Sequence, residues 1–139
     1  MEQINKLFLV DDDTTYTFLT ELLIIKSNKV KQVQVFNDAR KAIDSLRSNI
    51  KNNELLPEVI FLDLNMPIMN GWDFLKEFKL IKTNLHKKII IYIVTSSINP
   101  VDFEKAILTE NVVDFIIKPI TKEKFNILIE EAIKEQKQQ

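Results

Sequence analysis

Between Val59 and Leu62 the chain places four apolar residues in a row and then stops on a carboxylate, Asp63. A run of that length without alternation suits a strand covered on both faces, as in a parallel sheet, rather than one with a wet side. Pro67 and the pair Asn70-Gly71 are turn formers, so the chain reverses before a helical pattern opens at Trp72. The same grammar recurs elsewhere. Lys6 to Val10 ends on Asp11, Asp12 and Asp13, Ile89 to Val94 on Thr95, Ser96 and Ser97, and Val112 to Ile117 on Lys118-Pro119. Chemistry in an open α/β sheet gathers at the carboxyl ends of its strands. Taken alone, Asp63 is equally well explained as a turn or helix cap; four strand ends finishing on polar residues favour function.

The intervening segments read as helices. Thr14 to Lys26 is capped by Asp13 or Thr14 and carries Phe18, Leu19, Leu22 and Leu23 at helical spacing. Gln32 to Phe36 alternates polar and apolar, which predicts a half-exposed edge strand. Asn37-Asp38 caps a helix with Ala39, Ala42, Ile43, Leu46 and Ile50 on one face, broken by polar residues 49–54 and Pro57. Trp72 to Ile81 predicts a third helix that buries Leu75 and Phe78, followed by a long polar connection, Lys82 to Lys88. Asn99-Pro100 supplies a cap and a first-turn proline for a fourth helix through Ala106 and Ile107. Asn111 stands where a glycine usually ends such a helix, and asparagine tolerates the left-handed conformation. Thr121 caps a last helix with a stripe of Phe125, Leu128, Ile129, Ala132 and Ile133, and the polar tail from Gln136 is expected to fray.

Five strands alternating with five helices predict an α/β, flavodoxin-like (βα)5 three-layer sandwich in one domain spanning residues 1–139. The half-polar second strand belongs at an edge, which favours a parallel sheet in the order 2-1-3-4-5. The chain shows no repeat. Its length of 139 residues supports a substantial core, and 45% hydrophobic with 28% charged residues is an ordinary globular balance. A net charge of −1 gives no electrostatic reason to expect nucleic acid or an anionic membrane as partner. Cysteine is absent, so thiolate metal sites and disulfides are excluded. The N-terminal apolar run is too short for a secretory signal, and no run approaches the roughly 20 residues of a bilayer span. The expected location is cytoplasmic.

In the 2-1-3-4-5 order strands one and three are neighbours, so Asp11, Asp12 and Asp63 converge. Two unit charges about 4 Å apart at an effective dielectric of 20 repel by on the order of 4 kcal/mol, so the cluster calls for a counter-ion. Hard oxygen ligands without histidine or cysteine point to Mg²⁺, which takes one or two carboxylates together with waters and a phosphate. Lys118 adds a positive charge and Thr95 a hydroxyl, each more often structural when met singly. Together with the acids they make a site suited to a phosphoryl group.

These motifs resemble the receiver domains of bacterial two-component response regulators. The resemblance covers nearly the whole chain. It runs from Val10-Asp11-Asp12 through Phe61-Leu62-Asp63-Leu64-Asn65-Met66-Pro67 and Asn70-Gly71, then Val94-Thr95-Ser96, to Ile117-Lys118-Pro119. It implies that Asp63 accepts a phosphoryl group from a sensor histidine kinase or a histidine phosphotransfer protein. Asp12, Asp63 and the backbone carbonyl of Asn65 would bind Mg²⁺ directly, and Asp11 through water. Lys118 would pair with the phosphoryl group, on a Lys118-Pro119 bond expected to be cis. Thr95 would be the switch hydroxyl and Phe115 the aromatic that turns inward behind it, the alternative for Phe115 being plain core packing. A phosphorylated surface of the fourth helix, fifth strand and fifth helix would then select a protein target, with no enzymatic activity beyond the domain's own phosphorylation and dephosphorylation. In the family the switch aromatic is commonly Tyr, a glycine usually stands at Asn111, and Asn65 and Ser97 occupy positions that tune phosphoryl lifetime. No DNA-binding or enzymatic output segment is expected after the receiver.

Leu7 to Val10 followed by Asp11-Asp12-Asp13-Thr14-Thr15 also fits the Asp-x-Asp-x-Thr of haloacid-dehalogenase-type, Mg²⁺-dependent phosphatases. Asp11 would then be the nucleophile and Asp13 the general acid. That family needs an acidic pair on a strand end after the lysine, whereas Glu123, Glu130, Glu131 and Glu135 all fall on the last helix. A third reading is a pseudo-receiver that works without phosphorylation. His86, alone in a polar loop, is expected to be exposed; Lys26, Lys29 and Lys31 read as a solvated turn, and Trp72 as core or a partner contact.

Overall fold

A computed structural model describes residues 3–137. The chain alternates β1 (Ile4–Val10), α1 (Thr14–Lys26), β2 (Val30–Phe36), α2 (Ala39–Ser48) and β3 (Val59–Leu62), then α3 (Gly71–Ile81), β4 (Ile90–Thr95), α4 (Pro100–Ile107), β5 (Val112–Ile117) and α5 (Lys122–Lys137). All strand pairs are parallel, in the order β2-β1-β3-β4-β5. This is the flavodoxin-like topology expected, with the alternating strand β2 at one edge.

Side chains alternate across the sheet with period two and so build two cores. Phe8, Val10, Ile60, Leu62, Ile91 and Ile93 pack under α2 and α3, where Ala42, Ile43, Leu46, Phe74 and Phe78 meet them. Leu7, Leu9, Val59, Phe61, Ile90 and Tyr92 face the other way, toward Ile24 of α1 and Phe125, Leu128, Ile129, Ala132 and Ile133 of α5. The α5 stripe is buried as its spacing predicts.

Register sets up the site. Val10 lies opposite both Phe36 and Leu62. The ladder continues one residue beyond the strands: Asp11 N donates to Phe36 O (3.0 Å), Asp63 N to Val10 O (3.0 Å) and Lys118 N to Thr95 O (2.8 Å). Backbone bonds therefore pin three of the candidate side chains at the carboxyl edge.

Several expectations need correction. Strands β1 and β2 start at Ile4 and Val30, earlier than the apolar runs suggest, because Ile4 N donates to Lys29 O and extends the pairing. Helix α2 ends at Ser48, which leaves Ile50 outside its face. Helix α5 is assigned through Lys137, and residues 138–139 of the polar tail lie outside the described part. Helix α1 differs most. Its buried residues are Thr17, Thr20 and Ile24, whereas Phe18 is 54% and Leu19 61% exposed, with Leu22 and Ile25 also outward. When apolar residues cover most of a helix, their spacing names a stripe without fixing which stripe faces in. Thr17 returns its hydroxyl to Thr14 O (3.1 Å), so it can be buried without an unpaired donor.

The long polar connection has a purpose that its composition hides. Lys87 pairs with the fully buried Glu58, which also accepts from Asn5 N (2.7 Å) and Lys6 N (3.0 Å), locking the end of the sheet opposite the aspartates. Asn111 takes φ 75°, as its helix-ending role requires, and the Lys118-Pro119 peptide is cis.

Candidate functional site

Asp11, Asp12 and Asp63 meet at the carboxyl edge of the sheet, each offering a carboxylate oxygen within 4.8 Å of the others. Asp11 and Asp63 are buried and Asp12 is exposed, so the cluster opens to solvent at Asp12. Asp11 Oδ1 accepts from Asp13 N (3.0 Å), and its Oδ2 lies 2.7 Å from Lys118 Nζ. Asn37 Nδ2 holds the Asp11 carbonyl at 2.8 Å. Lys118 Nζ stands farther from Asp63 Oδ2, at 3.6 Å.

Burial pushes the Asp11 carboxyl above its ordinary value, against the Lys118 hydrogen bond that works to lower it. For Lys118, burial acts to lower the ammonium's pKa, but the hydrogen bond and charge of Asp11, followed by the charge of Asp63, outweigh it and raise the net value. The lysine therefore stays charged in the cleft.

The donor set suits Mg²⁺. Its oxygens are hard, its mouth is wet at Asp12, and Asp63 Oδ1 is buried without a hydrogen-bond partner among the described residues. A buried acceptor left unpaired costs about 1–3 kcal/mol unless something fills it, and a cation there does so. Asp11, Asp12 and Asp63 are the side chains that would hold it.

Asn65 follows Asp63 on the same loop, and its side-chain amide reaches Thr95 Oγ1 at 3.4 Å. Thr95 ends β4 fully buried, and its hydroxyl oxygen also receives Ser97 N at 3.3 Å. From there the contacts continue outward. Ser97 Oγ donates to Asp102 Oδ2 (2.6 Å), Trp72 Nε1 donates to Asp102 Oδ1 (3.3 Å), and Lys105 Nζ sits 4.4 Å from the Trp72 ring centroid. Trp72, half-buried at the first turn of α3, thus ties that helix to α4 as well as packing on the core.

Gly71 earns its place by close approach, not only as a turn former. A Cβ there would lie 2.5 Å from the Asp63 carbonyl oxygen and 2.8 Å from Leu64 Cα, so only glycine lets α3 start against the acid's own peptide. Phe115 is partly buried on β5 with its ring edge-on to Phe103 of α4, centroids 5.6 Å apart. In this state it packs between strand and helix. His86 is exposed, as expected. Asp13 caps α1 by accepting Tyr16 N at 3.0 Å, which commits the carboxylate that a phosphatase of the haloacid dehalogenase type would use as its acid.

Tyr16 and Asp102 are the neighbours that sequence reasoning overlooked. Tyr16 places its ring 4.4 Å from Lys118 Nζ. The available signal was its position one turn beyond the acidic triplet, on a helix whose start the aspartates fix.

Comparison with known proteins bears on the family and the fold. Residues 7–130 match the family described as response regulator receiver domain. A probable methanogenesis regulatory protein of Methanothrix harundinacea is 26% identical over 90% of this chain and 79% of its own length. A protein-glutamate methylesterase/protein-glutamine glutaminase of Burkholderia thailandensis is 31% identical over 82% of this chain, which spans only 29% of that protein. Among solved structures, a two-component response regulator from Cytophaga hutchinsonii superimposes with a TM-score of 0.86 at 29% identity, over 95% of this chain and 98% of that one. A response regulator receiver protein from Dyadobacter fermentans gives 0.79 at 28% identity, over 92% and 97%. With fold, acidic cluster and family match in agreement, the haloacid dehalogenase reading falls, and the chain belongs to the response regulator receiver domains of two-component signalling.

Proposed function

We propose that this receiver is a phosphorylation-controlled switch whose acceptor is Asp63. The observation that carries the reading is Asp63 itself: buried at the floor of an acidic cleft, 3.6 Å from an ammonium, with one oxygen unpaired among the described residues. An oxygen of Asp63 would attack the phosphorus of a phosphohistidine on a sensor kinase or histidine phosphotransfer protein. The P–N bond breaks, the imidazole leaves with a proton from solvent, and an acyl phosphate remains on Asp63. Mg²⁺ held by Asp11, Asp12, Asp63 and the Asn65 carbonyl would supply the positive charge that phosphoryl oxygens need. Lys118 then turns from Asp11 toward those oxygens.

The same addition gives Thr95 a new acceptor. Its hydroxyl would leave Asn65 and the Ser97 amide, and Phe115 would move from its packing on Phe103 into the vacated space. The surface of α4, β5 and α5 is suited to read the change, because Phe103, Ile107, Val113, Ile117 and Ile127 are all exposed there. The outward apolar residues of α1, a helix whose first turn follows the aspartates, are available to a phosphodonor protein. The downstream target is a protein, with neither nucleic acid nor membrane contacted by this domain, which works in the cytoplasm. Its only catalysis is on itself.

Intact-mass measurement with a small phosphodonor tests the reading. Mg²⁺-dependent addition of one phosphoryl group, lost in Asp63→Asn, is expected. Addition that persists in Asp63→Asn contradicts the reading, and no addition at all favours a pseudo-receiver.

A further inference from the structure

We propose that Tyr16 is a positioning residue for phosphoryl transfer, its ring face holding the Lys118 ammonium inside the cleft. The inference rests on the acceptor reading above and concerns a residue which that reading does not use.

A lysine head is a compact charge on a flexible stem, free to swing into water unless its surroundings confine it. At Lys118 two kinds of neighbour do so. Asp11 Oδ2 stands at 2.7 Å, and the Tyr16 ring centroid lies 4.4 Å from Nζ. An ammonium at that distance is attracted by the negative face of the ring, and more strongly where water is excluded. Here the lysine side chain is 15% exposed.

The ring is itself held in place. Tyr16 N donates to Asp13 Oδ1 at 3.0 Å on the first turn of α1, so the segment that carries the acids also fixes the tyrosine. The ring packs half-buried on the core layer shared by α1 and α5. Burial raises the Tyr16 phenol, which keeps it neutral and its face attractive to a cation.

The arrangement matters when Asp63 is modified. Lys118 must then exchange Asp11 for phosphoryl oxygens while remaining in the cleft. A carboxylate partner is lost in that exchange, whereas a ring face binds without a fixed donor–acceptor direction and lets the head pivot. The tyrosine thus keeps the ammonium near Asp63 through the step that its first partner cannot follow.

Two variants separate this role from ordinary packing. Tyr16→Leu keeps apolar volume and removes the ring face; Tyr16→Phe keeps the face. The first readout needs neither metal nor phosphodonor: acylation of Lys118 by a water-soluble succinimidyl ester, quantified by peptide mass spectrometry. Tyr16→Leu is expected to accelerate acylation about three- to tenfold, and Tyr16→Phe to stay within about twofold of the wild type. The second is the rate of Asp63 labelling by acetyl phosphate with Mg²⁺. Tyr16→Leu slows it by a similar factor, Tyr16→Phe restores it, and the slowing disappears in a Lys118→Met background. Wild-type acylation in Tyr16→Leu, or equal slowing with and without Lys118, overturns the proposal. A wild-type protein that takes no label overturns the acceptor reading instead, while the acylation rates still decide the tyrosine contact.

Discussion

Lys118 Nζ lies 2.7 Å from Asp11 Oδ2 but 3.6 Å from Asp63 Oδ2, so the cleft's ammonium is committed first to a carboxylate that is not the proposed acceptor. Asp11 is thereby neutralised while Asp63 keeps an oxygen available. Lys118→Met removes that compensation from a buried carboxylate and is expected to destabilise the metal-free protein by about 2–4 kcal/mol at neutral pH in urea unfolding. Burial already raises the Asp11 pKa, so the folded state takes up a proton before the unfolded chain does. The loss therefore shrinks as pH falls through the Asp11 range. A loss independent of pH would show that the methionine acts through packing alone.

The acidic cluster gives a second expectation. Mg²⁺ at 100 times its dissociation constant should add about 2.7 kcal/mol of stability by mass action. Asp12→Asn removes a like charge within 4.8 Å of the other two carboxylates, so it should stabilise the metal-free fold by up to about 1 kcal/mol and abolish most of the Mg²⁺ gain. Thermal melts with and without Mg²⁺ measure both. Destabilisation of the metal-free variant would contradict the view that these charges repel.

Gly71→Ala sets a methyl 2.5 Å from the Asp63 carbonyl oxygen and 2.8 Å from Leu64 Cα, both backbone atoms that move only with the acceptor loop. A cost of about 2–4 kcal/mol is expected from such overpacking, together with slower labelling of Asp63. Full stability in the alanine variant would mean that α3 can retreat from the loop without consequence.

Away from the cleft, Tyr92 donates its hydroxyl to Leu128 O at 3.1 Å and is almost wholly buried. Burial, followed by the charges of Glu131, Asp114 and Glu135, pushes its phenol well above the ordinary 10.0. Above that pH the unfolded chain releases the proton and the folded protein keeps it, so stability falls as pH rises. Tyr92→Phe should cost about 1 kcal/mol at neutral pH and reduce the alkaline slope by up to about 1.4 kcal/mol per pH unit. An unchanged slope would place the alkaline loss elsewhere, with Lys118 the next group to examine.

The sheet order was legible because β3 and β4 are apolar on both faces and β2 alternates, which leaves few places for each strand. The aspartates were legible because a charge ending a buried run has little reason to be there otherwise. Helix α1 was not. Phe18, Leu19, Leu22 and Ile25 form as good a stripe as Thr17, Thr20 and Ile24, and which one faces in depends on where the chain leaves β1. Glu58 and Lys87 carry no signal in the sequence for a related reason: a charged pair separated by a polar loop looks solvated until folding buries it. Tyr16 and Asp102 act across element boundaries, and spacing within one element carries no signal for such contacts.

The central claim is that Asp63, among four aspartates close together, carries the phosphoryl group. The most direct measurement is borohydride reduction of the protein after reaction with acetyl phosphate and Mg²⁺, followed by peptide mapping of the reduced residue. The account predicts reduction at Asp63 and none at Asp11, Asp12 or Asp13. Reduction at Asp11, with Asp63 intact, would contradict it.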